Sequence, residues 1–191
     1  MITQQIFSMS DTCTLKFLFI GRLLKEKGIH EFVQAAKLVK KIYPDTEFTV
    51  LGAIDDHNLG ALQQTDLDTL ISSNIIRYPG HVSNIKDWIA DSHVFVLPSY
   101  REGVTRRTQE AMAIGRAIIT TDVPGCRETV IDGVNGFLVP KWNSIILAEK
   151  MIYFIENPEK IKVMGEASYY IAKNKFDSKI VNQKLMKILG L

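Results

Sequence analysis

The sequence predicts an α/β protein: a doubly wound parallel sheet of about six strands, helices on both faces, and a helical C-terminus. Three observations carry that prediction. Short apolar runs of strand length alternate with segments of helical spacing from Leu15 to Val139. Gly and Pro punctuate the boundaries of many of these runs. Beyond Pro140 strand-like runs cease and only helical patterns follow.

Leu15-Lys16-Phe17-Leu18-Phe19-Ile20 opens the pattern as a short buried strand, and a glycine-bounded loop from Gly21 to Gly28 follows. Apolar residues at Ile29, Phe32, Val33, Ala36, Val39 and Ile42 then recur at helical spacing. Glu47 to Leu51 is strand-like, and Leu59 to Ser72 reads as a helix. Ile75 to Tyr78 reads as a strand stopped by Pro79-Gly80. Lys86 to Asp91 is a short helix, and His93 to Leu97 a strong strand stopped by Pro98. Thr108 to Ile114 is a helix ended by Gly115. Ala117 to Thr121 is a strand, Arg127 to Ile131 a helical turn, and Phe137-Leu138-Val139 a last short strand. Asn143 to Glu156, Glu159 to Ala172 and Ser178 to Leu189 read as helices. Pro158 stands at a first helical turn, where a missing amide donor costs nothing. Strands alternating with helices make βαβ units in a Rossmann-like layout, and ligands of such sheets bind outside the carboxyl ends of the strands.

The chain has 191 residues, enough for one large domain. A domain of this size buries about 70% of the surface its unfolded chain exposes. With 46% hydrophobic and 23% charged residues, a disordered or fibrous chain is excluded. A formal charge of +2 gives no reason to expect a nucleic-acid partner. Two cysteines, Cys13 and Cys126, make neither a disulfide framework nor a zinc site, so a reducing, cytoplasmic setting is expected. No apolar run approaches the ~18–20 residues that span a bilayer. Met1 to Thr14 lacks the basic-then-apolar order of a signal peptide. Residues 1–14 read as a tail or severed linker, and 15–191 as the domain.

Two loops carry the candidate chemistry. Gly21-Arg22-Leu23-Leu24-Lys25-Glu26-Lys27-Gly28 sits between the first strand and the first helix, where doubly wound folds hold phosphates. It is neither G-x-G-x-x-G nor a P-loop. It offers Arg22, which can clamp phosphate oxygens in pairs, and Lys27, a point charge. A solvated basic loop would present the same residues. The second loop runs from Ser99 through Glu102 to Thr108 and Glu110, after the strongest strand. Glu102 lies in the loop and Glu110 on the following helix, so two carboxylates can face one ligand. Such groups suit vicinal hydroxyls of a sugar or ribose, and amides near Thr108 suit a phosphate. Glu110 alone is equally a helix-start carboxylate favoured by the dipole. A third segment, Asp122 to Glu128 and then Asp132-Gly133-Val134-Asn135-Gly136, reads as mainly structural.

Other features are set aside. Asp66-Leu67-Asp68 has the D-x-D form of a metal site but lies in an expected surface helix. His30, His57, His81 and His93 are scattered, so no metal site is expected. Ser99 lacks a G-x-S-x-G elbow. The basic, amphipathic segment from Lys173 to Leu191 suits either a membrane surface or a neighbouring domain.

Taken in order, these motifs resemble the group 1 (family 4) glycosyltransferases of GT-B fold, and specifically their C-terminal, donor-binding half. Gly-Arg followed by Lys-Gly matches, as do Glu102 and Glu110 as an E-x7-E motif and the turn Asp-Gly-x-Asn-Gly-Phe-Leu-Val. The resemblance implies that Arg22 and Lys27, in the loop opened by Gly21, hold the donor diphosphate and stabilise the leaving nucleotide. It implies that Glu102 contacts the transferred sugar and Glu110 the ribose. Amides near Gly103, Val104 and Thr108 would meet sugar and phosphates, and the backbone around Arg77 would read the base. The implied activity is retaining, metal-independent transfer of a hexose or related sugar, from a UDP-sugar rather than a GDP-sugar. The implied acceptor is a saccharide or lipid-linked saccharide in surface polysaccharide or glycoconjugate synthesis. No cofactor is implied. Thr105 stands where the family commonly has Pro or Gly, and Ala117 where Pro is common. The family's N-terminal acceptor-binding domain has no counterpart here, so the isolated chain is expected to be a poor catalyst. The alternative is a stand-alone module that binds a nucleotide sugar without turnover. A nucleotide-binding oxidoreductase would want the missing glycine fingerprint, and an epimerase would not want E-x7-E.

Overall fold

The computed structural model describes residues 14–55, 58 and 60–189. The expected tail up to residue 13, Cys13, His57 and Leu59 lie outside the described residues. Six strands form one parallel sheet: β1 (Lys16–Ile20), β2 (Glu47–Leu51), β3 (Arg77–Gly80), β4 (Val94–Leu97), β5 (Ala117–Thr121) and β6 (Gly136–Val139). Among the described residues eight α-helices accompany it: α1 (Ile29–Lys40), α2 (Gln64–Ser72), α3 (Ile85–Asp91), α4 (Arg106–Ala113), α5 (Pro124–Arg127), α6 (Ser144–Glu156), α7 (Pro158–Lys175) and α8 (Ser178–Leu189). The strand order β3-β2-β1-β4-β5-β6 is that of a doubly wound Rossmann-like sheet. β1 is paired in register with β2 on one side and β4 on the other. Successive crossovers therefore leave β1 in opposite directions. That reversal opens a crevice at the carboxyl ends of β1 and β4.

Every residue of β4 and β5 is buried, the pattern of parallel strands covered on both faces. α1 packs beside α6, and α4 beside α7. Phe17, Phe19, Phe32 and Phe48 fill the space under α1, with Phe17 stacked on Phe48 at 5.3 Å and Phe32 edge-on to it at 6.0 Å. Each such fully buried ring contributes about 1.5–3 kcal/mol relative to exposure.

The structure departs from the sequence expectation at several elements: α2 begins at Gln64 rather than Leu59, α1 ends at Lys40 rather than Ile42, and β3 and α5 are shifted at prolines. β3 runs through Pro79 and Gly80 instead of stopping before them. It is an edge strand, so the amide proline lacks is not needed for a second neighbour. α5 starts at Pro124 and ends at Arg127, earlier than the turn expected over 127–131. Pro124 forces an extended Val123 (φ −130°) and pre-sets the first turn. The chain beyond is held instead by buried Asn135, which accepts from the Ile131 amide at 2.8 Å and donates to Thr129 O at 3.1 Å.

Candidate functional site

The loop after β1 and the loop after β4 are tied together at the crevice. Residues Lys25–Lys27 form one turn of 3-10 helix, and Gly28 then turns the chain into α1 with φ 76°. A Cβ on Gly28 would stand 2.0 Å from Pro98 O, so the β1 loop rests directly on the end of β4. The Ser99 hydroxyl and the Tyr100 amide both donate to Glu26 O at 2.9 Å. The Tyr100 hydroxyl donates to the Glu31 carboxylate at 2.7 Å. Burial and that carboxylate together push the phenol well above its usual range.

This scaffold brings Lys27 to Glu102. Nζ stands 2.6 Å from Oε1, with the side chains 25% and 11% exposed. A charge-assisted bond in a partly desolvated crevice is far stronger than a surface pair. Arg22 is different: its guanidinium is more than half exposed, 3.4 Å from Glu26 and 3.8 Å from Asp55. Gly21 opens the loop by donating its amide to Leu51 O at 3.0 Å. Of the two candidate cations, Lys27 is therefore anchored and Arg22 open.

Beyond Glu102, Gly103 and Val104 are exposed and lead into α4. Thr105 is the N-cap; its hydroxyl accepts from the Thr108 amide at 3.1 Å and lies 2.5 Å from the Thr108 hydroxyl. An anion seeking the Thr108 amide must displace that cap, whereas the preceding amides of the first turn need no such exchange. Arg106 and Arg107 occupy the first turn, where their charge opposes the helix dipole. Glu110 compensates from within the helix, at 3.0 Å from Arg106 and 2.7 Å from Arg107. Gly125 of α5 supports the Glu102 loop from below: a Cβ there would lie 2.1 Å from Glu102 O and 2.5 Å from Gly103 O. Cys126 is buried beside it, 3.1 Å from the Thr120 hydroxyl, and burial pushes the thiol up, the profile of an inert cysteine.

Of the residues singled out from the sequence, Gly21, Arg22, Lys27, Glu102, Gly103, Val104, Thr108 and Glu110 lie on the two loops at the carboxyl end of the sheet or on the helix that follows. Arg77 does not. It begins β3 opposite Thr49, with its guanidinium 3.5 Å from Glu47, the first residue of β2, and 4.8 Å over the Trp88 ring. Its side chain is thus directed toward the amino end of the sheet. Gly80 is where β3 reaches the carboxyl end. Asp66 and Asp68 are exposed on α2. Among the described residues no cluster of three or more His, Cys, Asp or Glu is placed to hold a metal. Sequence reasoning missed Asp55, Glu31 and the supporting role of Gly125. Asp55 carried one legible signal, its place just past a strand's carboxyl end.

The fold and the charged loops at the reversal of strand order define a ligand-binding domain of the Rossmann type. The sequence model of the family described as "Glycosyl transferases group 1" matches residues 7–170, and the chain belongs to that family. It is 30% identical over 167 residues to the capsular polysaccharide biosynthesis glycosyltransferase CapM of Staphylococcus aureus, covering 87% of this chain and 43% of that one. It is 29% identical over 177 residues to the N,N'-diacetylbacillosaminyl-diphospho-undecaprenol alpha-1,3-N-acetylgalactosaminyltransferase of Campylobacter jejuni, covering 90% of this chain and 43% of the relative. The chain thus spans about two fifths of the length of these curated relatives. Among solved structures, the C-terminal domain of the group 1 protein LpcC from Francisella tularensis superposes with a TM-score of 0.77 at 25% identity, covering 86% of this chain and 87% of that domain. HepE of Anabaena, solved in complex with UDP, superposes with a TM-score of 0.84 at 24% identity, over 93% of this chain and 49% of its own. The fold is that of the C-terminal Rossmann-like domain of a GT-B glycosyltransferase. Among the described residues no helix is long and apolar enough to cross a membrane.

Proposed function

We propose that this domain binds a nucleoside-diphosphate sugar, a UDP-sugar in preference to a GDP-sugar, and presents its anomeric carbon for retaining transfer to a saccharide or lipid-linked acceptor. One observation carries the proposal: Lys27 and Glu102, on different loops, meet at 2.6 Å in the crevice where β1 and β4 diverge. A cation and a carboxylate side by side there match the two halves of such a donor. Lys27 and the open Arg22 hold the diphosphate and neutralise the charge that grows on it as the glycosidic bond breaks. Glu102 accepts hydrogen bonds from the hydroxyls of the sugar being moved. The loop amides at Gly103 and Val104 meet sugar and phosphate. Glu110 takes the ribose hydroxyls, exchanging part of its hold on Arg106 and Arg107. With Gly80 rather than Arg77 at the carboxyl end of β3, the base is read by the backbone that follows Gly80.

Two cations at the diphosphate, anchored Lys27 and open Arg22, make a metal-independent reaction reasonable, since they supply the charge that a divalent ion otherwise provides. The names of the relatives support surface polysaccharide or glycoconjugate synthesis, and the UDP complex of HepE supports uridine. Turnover is assigned to this domain acting with an acceptor-binding domain, because positioning the acceptor supplies much of the rate. By itself the domain holds its donor with little transfer. The test is a comparison of ligands on one variant. Glu102→Ala should weaken UDP-sugar at least about tenfold, equivalent to ~1.4 kcal/mol, while bare UDP changes far less. Equal losses for both ligands would remove Glu102 from the sugar.

A further inference from the structure

Trp142 is the residue whose placement the donor site does not explain. It lies just past the carboxyl end of β6, at the same end of the sheet as the Lys27 and Glu102 loops. The residue is 64% exposed, and its backbone is in the left-handed region with φ 58°. Asn74 is the other non-glycine described with positive φ, and Asn tolerates that conformation whereas a bulky residue does not. A strained backbone that points a large apolar ring at solvent gains nothing from the core. Strain of this kind persists where the surroundings impose it.

The surroundings here are specific. Tyr100 meets Trp142 edge-on, with centroids 5.4 Å apart and planes at 68°, so the two rings form a corner. Tyr100 is fixed by its amide on Glu26 O and its hydroxyl on Glu31. Glu26 directly precedes Lys27, and Tyr100 stands two residues before Glu102. The corner is therefore built on the same backbone that positions the donor pair. The Lys141 ammonium lies 4.7 Å over the indole from an exposed, movable side chain.

We propose that the Trp142–Tyr100 corner is a stacking platform for a pyranose ring of the acceptor saccharide; this rests on the sugar-transfer reading above and names the acceptor side of that site. The C–H face of a pyranose packs on an indole face, while its hydroxyl rim seeks polar partners. Lys141, over the indole, and Glu31, bonded to the Tyr100 hydroxyl, stand beside the rings and supply those partners. A hydroxyl-rich ligand suits that mixed setting better than an apolar protein surface does.

The experiment follows the two indole N–H signals, from Trp88 and Trp142, in the full 191-residue chain saturated with UDP. The Trp142 signal is assigned by its absence in Trp142→Phe. Cellotriose, maltotriose and chitotriose are titrated separately at millimolar concentration. The expected result is that at least one trisaccharide moves the Trp142 signal and not that of Trp88. Trp142→Ala should then weaken that trisaccharide at least about tenfold and Trp142→Tyr by about threefold or less, because tyrosine keeps an aromatic face. UDP should bind all three variants as it binds the wild type, which also shows that they fold. A Trp142 signal unmoved by every trisaccharide in a chain that binds UDP overturns the platform alone and leaves the ring as a protein-contact surface. A chain that does not respond to UDP overturns the donor reading and the platform with it.

Discussion

Single residues do unequal jobs at the crevice. Gly125 has no side chain, yet the Glu102 loop rests on it, and a methyl there would lie 2.1 Å from Glu102 O. Gly125→Ala should therefore displace the loop, weakening UDP-sugar binding at least about tenfold, with a lowered urea midpoint. Normal binding by a folded Gly125→Ala chain would show that the loop is not anchored there. At the opposite end of the sheet, buried His93 accepts the Lys16 amide on Nδ1 at 3.0 Å. Burial first, then the charges of Arg116 and Lys16, lower its pKa to about 4. Free in the unfolded chain it titrates near 6.5, so the unfolded state binds the proton that the folded state refuses. The stability due to neutral His93 is complete above about pH 6.5. It is lost as pH falls toward about 4, up to about 3 kcal/mol in total. Urea midpoints should fall across that window in the wild type and fall less in His93→Gln. Identical pH profiles would show that His93 titrates normally when folded.

At the scale of elements, α4 is the piece on which the site depends. Its first turn carries two arginines against the dipole and is held by the Thr105 cap. Thr105→Ala should cost about 1 kcal/mol, read as a lowered urea midpoint, and Thr105→Ser should restore it. An unchanged midpoint in the alanine variant would mean that packing of Ala111 and Met112 alone fixes the helix. The elements were legible in the sequence to different degrees. β2 and β5 fall on their expected residues, because each is a short apolar run with turn residues at its boundaries. α1 ends two residues early, the last apolar position of its stripe, Ile42, being left 62% exposed. β3 and α5 were misplaced at prolines. Pro79 stops a central strand but not an edge strand, and Pro124 starts a helix as readily as it ends one. For β3 the decision lies with the sheet order, which the local sequence does not name.

At the scale of the whole molecule, alternation of strand and helix was enough to place both loops at the carboxyl end of one sheet. It was not enough to pair their side chains. Lys27 and Glu102 lie 75 residues apart and meet only because β1 and β4 are neighbours in the sheet. Arg77 shows the same limit: it lies on the expected strand, paired with Thr49, but only the fold shows that its guanidinium sits beside Glu47 at the amino end of β2. The partnership of Tyr100 with Glu31, and hence the corner with Trp142, likewise exists only in the folded chain. What joins these parts is the crevice between β1 and β4, which we propose holds a nucleoside diphosphate by Arg22 and Lys27.

The most direct test is metal-free calorimetric titration of the chain with UDP, GDP and their glucose and N-acetylglucosamine conjugates, repeated with Arg22→Ala and Lys27→Ala. Binding of UDP in preference to GDP is expected, with each variant weakened about tenfold or more for both the diphosphate and its conjugates, ~1.4 kcal/mol. Binding of UDP that both variants retain undiminished would contradict the claim and place the ligand elsewhere on the domain.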